Sequence, residues 1–189
     1  LHIIGKDILR FHAVYWPAFL LAANIKPPKR IFSHGWILSG DEKMSKSKGN
    51  ILDPIEIIDK YGVDQLRYYL MKEVSHGSDG TISLKNLETC INSDLANNFG
   101  NLCQRIFSFI KSNCNNEVVK NAKVSSNDKK FLKEINALTE NLRDDINSQN
   151  LNNYIKSVIK MSFLTNKYIN DEEPWKLKKS DTIKMNNIL

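Results

Sequence analysis

The sequence predicts an α/β region followed by an all-α region, and three patterns support this fold class. Two short apolar runs, residues 1–4 and 31–33, flank an apolar helical segment at residues 8–23. Strand, helix and strand in this order are typical of a βαβ unit with parallel strands. From Leu84 onward apolar residues recur every three or four positions, and this spacing returns in two later segments. The second half therefore reads as amphipathic helices.

The first region, residues 1–35, contains the βαβ unit. Pro17 falls inside its helical segment and lacks the N–H that a helix interior needs, so we expect a kink or a break there. A loop with two prolines then leads to the second strand, which ends at His34 and Gly35.

The middle region, residues 36–83, begins with a polar loop and continues with two short helices and a further strand. Asp53 is a good N-cap and Pro54 suits the first helical position, which together predict a helix start. Gly62 predicts its end, and we expect a second helix over residues 65–72.

The last region, residues 84–189, carries the helical periodicity. The first apolar stripe consists of Leu84, Leu87, Ile91, Leu95, Phe99, Leu102, Ile106 and Ile110. The spacing repeats over residues 131–146 and 151–168, with Asn-rich joints between the segments. Three such segments predict a helical bundle.

Composition excludes several classes of protein. Of 189 residues 41% are apolar and 25% charged, and the net charge is +6, as in an ordinary globular protein. The sequence contains no run of about 18 apolar residues, so we expect no membrane span. It does not start with a basic stretch followed by an apolar one, so we expect no secretion signal. The cysteines Cys90, Cys103 and Cys114 lack metal-ligand spacing, so we expect reduced thiols and no metal bound by this chain.

A basic loop is the segment most indicative of chemistry. Residues 43–50 read Lys-Met-Ser-Lys-Ser-Lys-Gly-Asn, and residues 26–50 hold six Lys or Arg against two acids. Lysine on its flexible stem suits a phosphate chain whose charge moves during reaction, with serine hydroxyls as further donors. By charge alone, a solvated basic loop is the more ordinary interpretation.

Two motifs carry a resemblance to a known family. Residues 43–47 match letter for letter the Lys-Met-Ser-Lys-Ser signature of class I aminoacyl-tRNA synthetases. Residues 5–17, Gly-Lys-Asp-Ile-Leu-Arg-Phe-His-Ala-Val-Tyr-Trp-Pro, resemble the corresponding segment of methionyl-tRNA synthetases. The resemblance covers nearly the whole chain. It implies the second half of a Rossmann-like core (1–35), a stem-contact region with the lysine loop (36–83) and an anticodon-binding helix bundle (84–189) that we expect to be truncated.

The resemblance implies ATP-dependent activation of L-methionine to methionyl-adenylate and transfer of the methionyl group to tRNA(Met). ATP would enter with Mg²⁺ as a substrate complex. Lys43 and Lys46 would be catalytic, stabilising charge on the transferring phosphate. The implied ATP-binding residues are His34, Gly35, Lys43, Ser45 and Lys46.

An aromatic face points to the amino acid. On a helix, Phe11 and Tyr15 are i, i+4 neighbours, as are His12 and Trp16, and ring edges suit a thioether. The resemblance implies methionine binding by Asp7, Phe11, His12, Tyr15 and Trp16, although family members often carry Phe where this chain has Tyr15. Without the resemblance, such a stripe is ordinary core.

A polar face in the last region points to RNA. Asn97, Asn101 and Arg105 are spaced by four and lie on one side of the predicted helix. The resemblance implies that they bind the anticodon together with Trp175, whose ring would stack on an unpaired base. By itself, a Trp after Pro is an unremarkable helix cap.

Two alternatives and one consequence complete the interpretation. The His-Ile-Gly-His signature of the family is absent, so we expect a fragment with little or no adenylation activity alone. A non-catalytic tRNA-binding module is one alternative, and another class I synthetase, for Leu, Val, Ile or Cys, is the other. We expect a cytoplasmic protein without a membrane partner, with an organellar matrix as the alternative compartment.

Overall fold

A computed structural model describes residues 1–40, 42–44, 52–75, 77–118 and 123–189, with only the backbone described at Glu42 and Lys43. The chain divides into two compact units. The first contains Leu1–Leu87 and Asp145–Ile155, and the second contains Glu88–Asp144 and Lys156–Leu189. Among the described helices, none is both long enough and apolar enough to cross a membrane. The predicted boundaries at residues 35/36 and 83/84 stay predictions.

The first unit opens with the expected βαβ order. Strands β1 (His2–Gly5) and β2 (Ile31–His34) pair in parallel, with Ile3 opposite Phe32. Between them lie a 3₁₀ turn (Lys6–Ile8), a π-helical segment (Phe11–Tyr15) and helix α1 (Trp16–Ala22). Strand β2 is half-buried or exposed along its length.

Pro17 does not break the helical segment, contrary to one of the two outcomes expected. The N–H of Trp16 donates to the carbonyl of Phe11, which is the wider π spacing. Helix α1 then begins with Pro17 in its first turn, where a missing N–H is tolerated. The hydrogen-bond pattern thus changes at the proline and the chain continues as helix.

The first unit also contains a three-stranded sheet and two helices, α2 and α3. Strand β3 (Ile37–Ser39) pairs with β4 (Glu42–Lys43) in antiparallel and with β5 (Gly80–Ile82) in parallel orientation. Helix α2 (Pro54–Tyr61) is capped as predicted, because the Asp53 side chain accepts the N–H of Ile55 at 2.8 Å. The core residues are Ile4, Ile57, Leu66, Tyr69, Ile82 and Leu87.

Gly62 joins two helices with almost no connector. Its φ of 97° and ψ of 152° are open essentially to glycine alone. Helix α3 (Val63–Glu73) starts at the next residue, earlier than the predicted Gln65. Gly62 is therefore both the end of α2 and the N-cap of α3.

In the rest of the chain, the described secondary-structure elements are helices and turns. Helix α4 (Leu84–Cys90), a π-helical segment (Ile91–Gly100) and helix α5 (Asn101–Asn113) follow one another without a gap. The later helices are α6 (Ser126–Thr139), α7 (Leu142–Asn147), α8 (Leu151–Glu172), α9 (Pro174–Leu177) and α10 (Thr182–Ile188).

The π-helical segment moves the buried face away from the predicted stripe. Cys90, Asp94 and Asn98 are buried, whereas Phe99 is 53% exposed. A π turn contains more residues than an α turn, so each following side chain is displaced around the helix axis. The predicted stripe is therefore wrong at Phe99, whereas Ile91 and Leu95 are half-buried. The polar side chains Asp94 and Asn98 take the fully buried positions of this segment.

Asp128 connects two helices of the second unit. It caps α6 reciprocally with Ser125, and its Oδ1 accepts the Tyr168 hydroxyl of α8 at 2.8 Å. The Tyr168 ring also stacks on Phe131 with a centroid distance of 4.3 Å. Burial acts to raise the pKa of Asp128. The hydrogen bonds from Ser125 and Tyr168 outweigh that effect and hold the pKa below its usual value.

We expect Asp128→Ala to lower the free energy of unfolding by about 2 kcal/mol at pH 7. Because the folded-state pKa is depressed, this stabilisation exists above the unfolded-state pKa and is lost as the pH falls through the folded-state value. Urea denaturation at pH 7 and pH 3 should show the difference from wild type shrinking in acid. Asp171→Ala, at an exposed position of α8, is the control. An equal loss at both pH values would contradict this account.

Candidate functional site

The predicted methionine-binding residues lie on one stretch of the first unit. Asp7 is in the 3₁₀ turn after β1, and the four aromatic residues follow in the helical segment. Phe11 and Tyr15 meet edge to face with centroids 5.7 Å apart, and His12 and Trp16 do so at 6.0 Å. The two predicted i, i+4 pairs are therefore present.

This aromatic face is not packed inside the described part of the chain. Phe11 is 59% exposed and Tyr15 is 38% exposed. The Nδ1 of His12 donates to the carbonyl of Ile8 at 3.0 Å, which leaves Nε2 as an acceptor when the ring is neutral. The face offers ring edges and one imidazole nitrogen to a small molecule.

An ion pair ties three strands of the first unit together. Lys6, directly after β1, donates to both carboxylate oxygens of Asp79, at 2.5 and 2.7 Å. Asp79, directly before β5, also accepts the backbone N–H of Trp36 at 2.7 Å, just ahead of β3. The hydrogen bond from Lys6, followed by that from Trp36, lowers the pKa of Asp79. Sequence analysis missed this link, since 73 residues separate its ends.

Gly35 is required by close backbone packing. A Cβ atom there would lie 2.1 Å from the carbonyl oxygen of Ser78 and 2.6 Å from the N of Asp79. Neighbouring His34 is exposed, and its Nδ1 donates to the carbonyl of Gly35 at 3.0 Å. Packing against the backbone of residues 78 and 79 is thus sufficient to explain why residue 35 is glycine. The contact of His34 and Gly35 with adenosine stays a prediction.

His34 and Gly35 also border a cavity of about 280 Å³ in the first unit. Its walls are mainly apolar and come from β2, the end of α3 and the start of α8. They include Phe32, Ile37, Leu70, Val74 and Leu151. The residues that line this cavity do not include the aromatic residues Phe11, His12, Tyr15 and Trp16.

The lysine loop is only partly described. The backbone of Lys43 lies in β4 opposite Leu38. Ser45 and Lys46 lie outside the described residues. Their predicted roles in ATP binding and catalysis therefore stay predictions.

A second cluster of predicted residues lies in the second unit. Asn97, Asn101 and Arg105 border one open groove of about 560 Å³, as their spacing of four predicts. The structure adds three polar residues to the groove that sequence analysis did not name: Gln104, Ser108 and Asn166. All six can donate or accept hydrogen bonds, which suits the edges of nucleobases.

Arg105 makes two side-chain hydrogen bonds and one ring contact at this groove. Its Nη1 donates to Asn170 at 2.7 Å and its Nη2 to Asn166 at 2.9 Å. The guanidinium also lies over the Trp175 ring, 5.7 Å from its centroid, so the fourth predicted residue joins the other three. The Nε of Arg105 is buried and has no hydrogen-bond partner among the described residues. That N–H is therefore a buried donor that the described side chains leave unsatisfied.

The side chains Asn166 and Asn170 were missed because nothing local marks them. They come from α8, 61 and 65 residues after Arg105 in the sequence. Within the described ranges, no three His, Cys, Asp or Glu side chains converge where they could hold a metal ion.

Comparisons with known proteins agree along the whole chain. The family model for tRNA synthetases class I (M) matches residues 1–107. A methionine–tRNA ligase of Rhizobium meliloti (strain 1021) is 43% identical over 189 residues, which is 100% of this chain and 37% of that protein. A second, from Brucella suis biovar 1 (strain 1330), is 45% identical over 188 residues and is covered to 36%.

A solved structure agrees as well. Mycobacterium tuberculosis methionyl-tRNA synthetase in complex with methionyl-adenylate is 42% identical and has a TM-score of 0.93, with 99% of this chain and 38% of that chain covered. The chain thus spans little more than a third of the length of these relatives. The match over 107 residues and the agreement of the fold have one explanation: the chain belongs to the class I methionyl-tRNA synthetase family.

Proposed function

We propose that this chain is the part of a methionine–tRNA ligase that carries the second half of the catalytic core and the anticodon-binding helices. The longer protein would activate methionine with ATP and transfer it to tRNA(Met). The observation that supports this most is the 42% identity over 99% of the chain to a synthetase solved with methionyl-adenylate. The geometry of both units is consistent with the proposal.

For methionine, the aromatic face provides the pocket wall. A thioether gains about 0.3–1.5 kcal/mol from each contact with a ring edge. The edge-to-face pairs Phe11–Tyr15 and His12–Trp16 present such edges on one helical segment. Asp7, in the 3₁₀ turn before that segment, would hold the ammonium group of the amino acid.

For ATP, the ends of the strands supply the site. Asp79 joins Lys6, beside the methionine-binding Asp7, to Trp36, beside the adenosine-binding Gly35. This link would keep the two substrate positions at a fixed separation, as an in-line transfer requires. Ser45 and the catalytic Lys43 and Lys46 would reach the phosphates, with Mg²⁺ bound to ATP, and stabilise charge as the α–β bond breaks.

For tRNA, the groove of the second unit supplies the contacts. Asn97, Asn101 and Arg105 would hydrogen-bond to the edges of unpaired anticodon bases, while a base stacks on Trp175. Trp175 is 39% exposed, so part of its ring is open to a base. The guanidinium of Arg105 over that ring adds a fixed positive charge beside the stacking position.

Methionine-dependent ATP–pyrophosphate exchange by the full-length protein tests the proposed activity. We expect exchange with methionine and little with leucine, valine, isoleucine or cysteine. Preference for one of those four would replace the assignment with another class I synthetase. RNA binding without any exchange would support a non-catalytic module. The 189-residue chain assayed alone should show little or no exchange, because half of the site cannot preorganise the transferring charge.

We expect Trp175→Ala to raise the Kd for an RNA stem-loop with the CAU anticodon about tenfold, since a stacked base is lost. Trp175→Phe should restore most of the affinity, because a smaller ring still stacks. Fluorescence anisotropy with labelled stem-loop RNA measures both. Phe163→Ala removes an exposed aromatic ring of α8, outside the groove, and is the matched control. Equal affinity for Trp175→Ala and wild type would argue against a stacking role.

A further inference from the structure

We infer that Asn98 is a positioning residue for the guanidinium of Arg105 and acts on it through Asn166. The inference rests on the proposed function of the groove as an RNA-binding site. Asn98 is only 5% exposed and does not border the groove, so it touches no ligand itself. Its effect must therefore pass through other side chains.

The hydrogen bonds of Asn98 allow a single orientation of its amide. Its Nδ2 donates to the Oγ of Ser162 at 2.6 Å, and its Oδ1 accepts from the Nδ2 of Asn166 at 2.8 Å. Ser162, itself 8% exposed, uses its own hydroxyl proton on the carbonyl of Ile159 at 3.0 Å. Rotating the Asn98 amide by half a turn would set its NH₂ against that of Asn166. Such a mismatch is costly in the interior.

This arrangement in turn fixes the amide of Asn166. Besides the Oδ1 of Asn98, the Nδ2 of Asn166 reaches the backbone carbonyls of Asn98 at 3.0 Å and Ser162 at 3.2 Å. Its NH₂ end is thus committed to the interior. Its Oδ1 is left to accept from Nη2 of Arg105 at 2.9 Å. Asn166 is therefore an acceptor at the groove because the Asn98 side chain and two backbone carbonyls hold its donor end.

The fixed acceptor matters for binding because arginine has a long, flexible stem. Asn166 and Asn170 together set the plane of the guanidinium over Trp175. The remaining N–H groups of Nη1 and Nη2 then have defined directions before RNA arrives. A side chain already ordered in the free protein loses less entropy on binding, so affinity rises. Without the inner hydrogen bonds, Arg105 would have to be ordered by the RNA.

The π-helical segment gives this role to Asn98. The α-helical spacing predicted Phe99 for the interior, yet Phe99 is exposed and Asn98 is buried. The wider turns place an amide instead of a ring behind the groove. The π-helical segment thus buries the polar side chain of Asn98 at this position in place of the apolar side chain of Phe99.

The test measures KM for tRNA in aminoacylation by the full-length protein. Asn98→Leu keeps the side-chain volume and removes the amide, so we expect KM to rise about tenfold. Asn92→Leu makes the same change at an exposed position of the same segment and is the matched control. Asn98→Asp should recover most of the loss, since a carboxylate still accepts from Asn166 and the Ser162 hydroxyl can turn to donate to it.

A double-mutant cycle with Arg105→Ala separates positioning from general damage to the fold. If Asn98 acts through Arg105, Asn98→Leu should have little further effect once Arg105 is gone. The same fold increase in both backgrounds would overturn the inference. Should Asn98→Leu fail to fold, Ser162→Ala removes one hydroxyl of the same network, and its cycle must show the same dependence on Arg105. If Arg105→Ala alone leaves KM unchanged, the proposed groove function fails as well.

Discussion

Lys46→Ala should lower kcat for methionine-dependent ATP–pyrophosphate exchange by about 100-fold to 1,000-fold, the range seen when a preorganised charge-stabilising group is removed. The negative charge that Lys46 would face develops mainly as the α–β bond breaks. We therefore expect the loss in kcat rather than in KM for ATP. Radiolabelled pyrophosphate exchange with the full-length protein measures both constants.

Lys48→Ala is the matched control for this prediction, because it removes the same charge two residues along the same loop. If this segment acts only through its net positive charge, both variants should lose a similar fraction of kcat. The signature match predicts a large loss only for Lys46. Equal losses would show that the loop contributes general positive charge and no specific contact.

Gly35→Ala should lower the free energy of unfolding by about 3 kcal/mol, near the upper end for overpacking. The added methyl group would overlap the backbone of Ser78 and Asp79, which cannot move aside as a flexible side chain can. The displaced Asp79 would also lose its position between Lys6 and Trp36. Urea denaturation of the full-length protein gives the size of the effect.

Gly77→Ala provides the comparison for Gly35. Gly77 has a φ of 70° and nothing within 4 Å of its Cβ position, so alanine there would be strained only by its backbone angle. We expect a loss of about 1 kcal/mol, the usual cost of a left-handed alanine. If the two variants were equally stable, the close approach at Gly35 would not be what requires glycine.

Much of the first unit could be predicted from local sequence. The parallel pairing of β1 and β2 follows from two apolar runs around a helical segment, and the start of α2 follows from Asp53 and Pro54. The strand pairing follows from the order of the local elements, and the helix start follows from neighbouring residues. The ion pair of Lys6 and Asp79 could not be found in this way, because it depends on how distant strands are arranged.

In the second unit, the sequence placed Asn97, Asn101 and Arg105 on one face correctly, because residues four apart stay close in either helix type. It placed Phe99 in the interior where Asn98 lies, since the hydrogen-bond pattern of a π segment has no clear residue signature. The acceptors that orient Arg105, Asn166 and Asn170, lie on α8. They could not be predicted either, because their contact with Arg105 depends on how distant helices are arranged. Spacing identifies residues that could bind, whereas the side chains that orient them emerge only from the fold.

The most direct test of the whole account is the charging of tRNA by the full-length protein. It compares a tRNA carrying the CAU anticodon with the same tRNA carrying a different anticodon, both incubated with ATP, Mg²⁺ and labelled methionine. We predict methionyl-tRNA from the CAU form and a strongly reduced rate from the other. Failure to esterify methionine, or equal rates on the two tRNAs, would contradict the joint assignment of the aromatic face to methionine and the Arg105 groove to the anticodon.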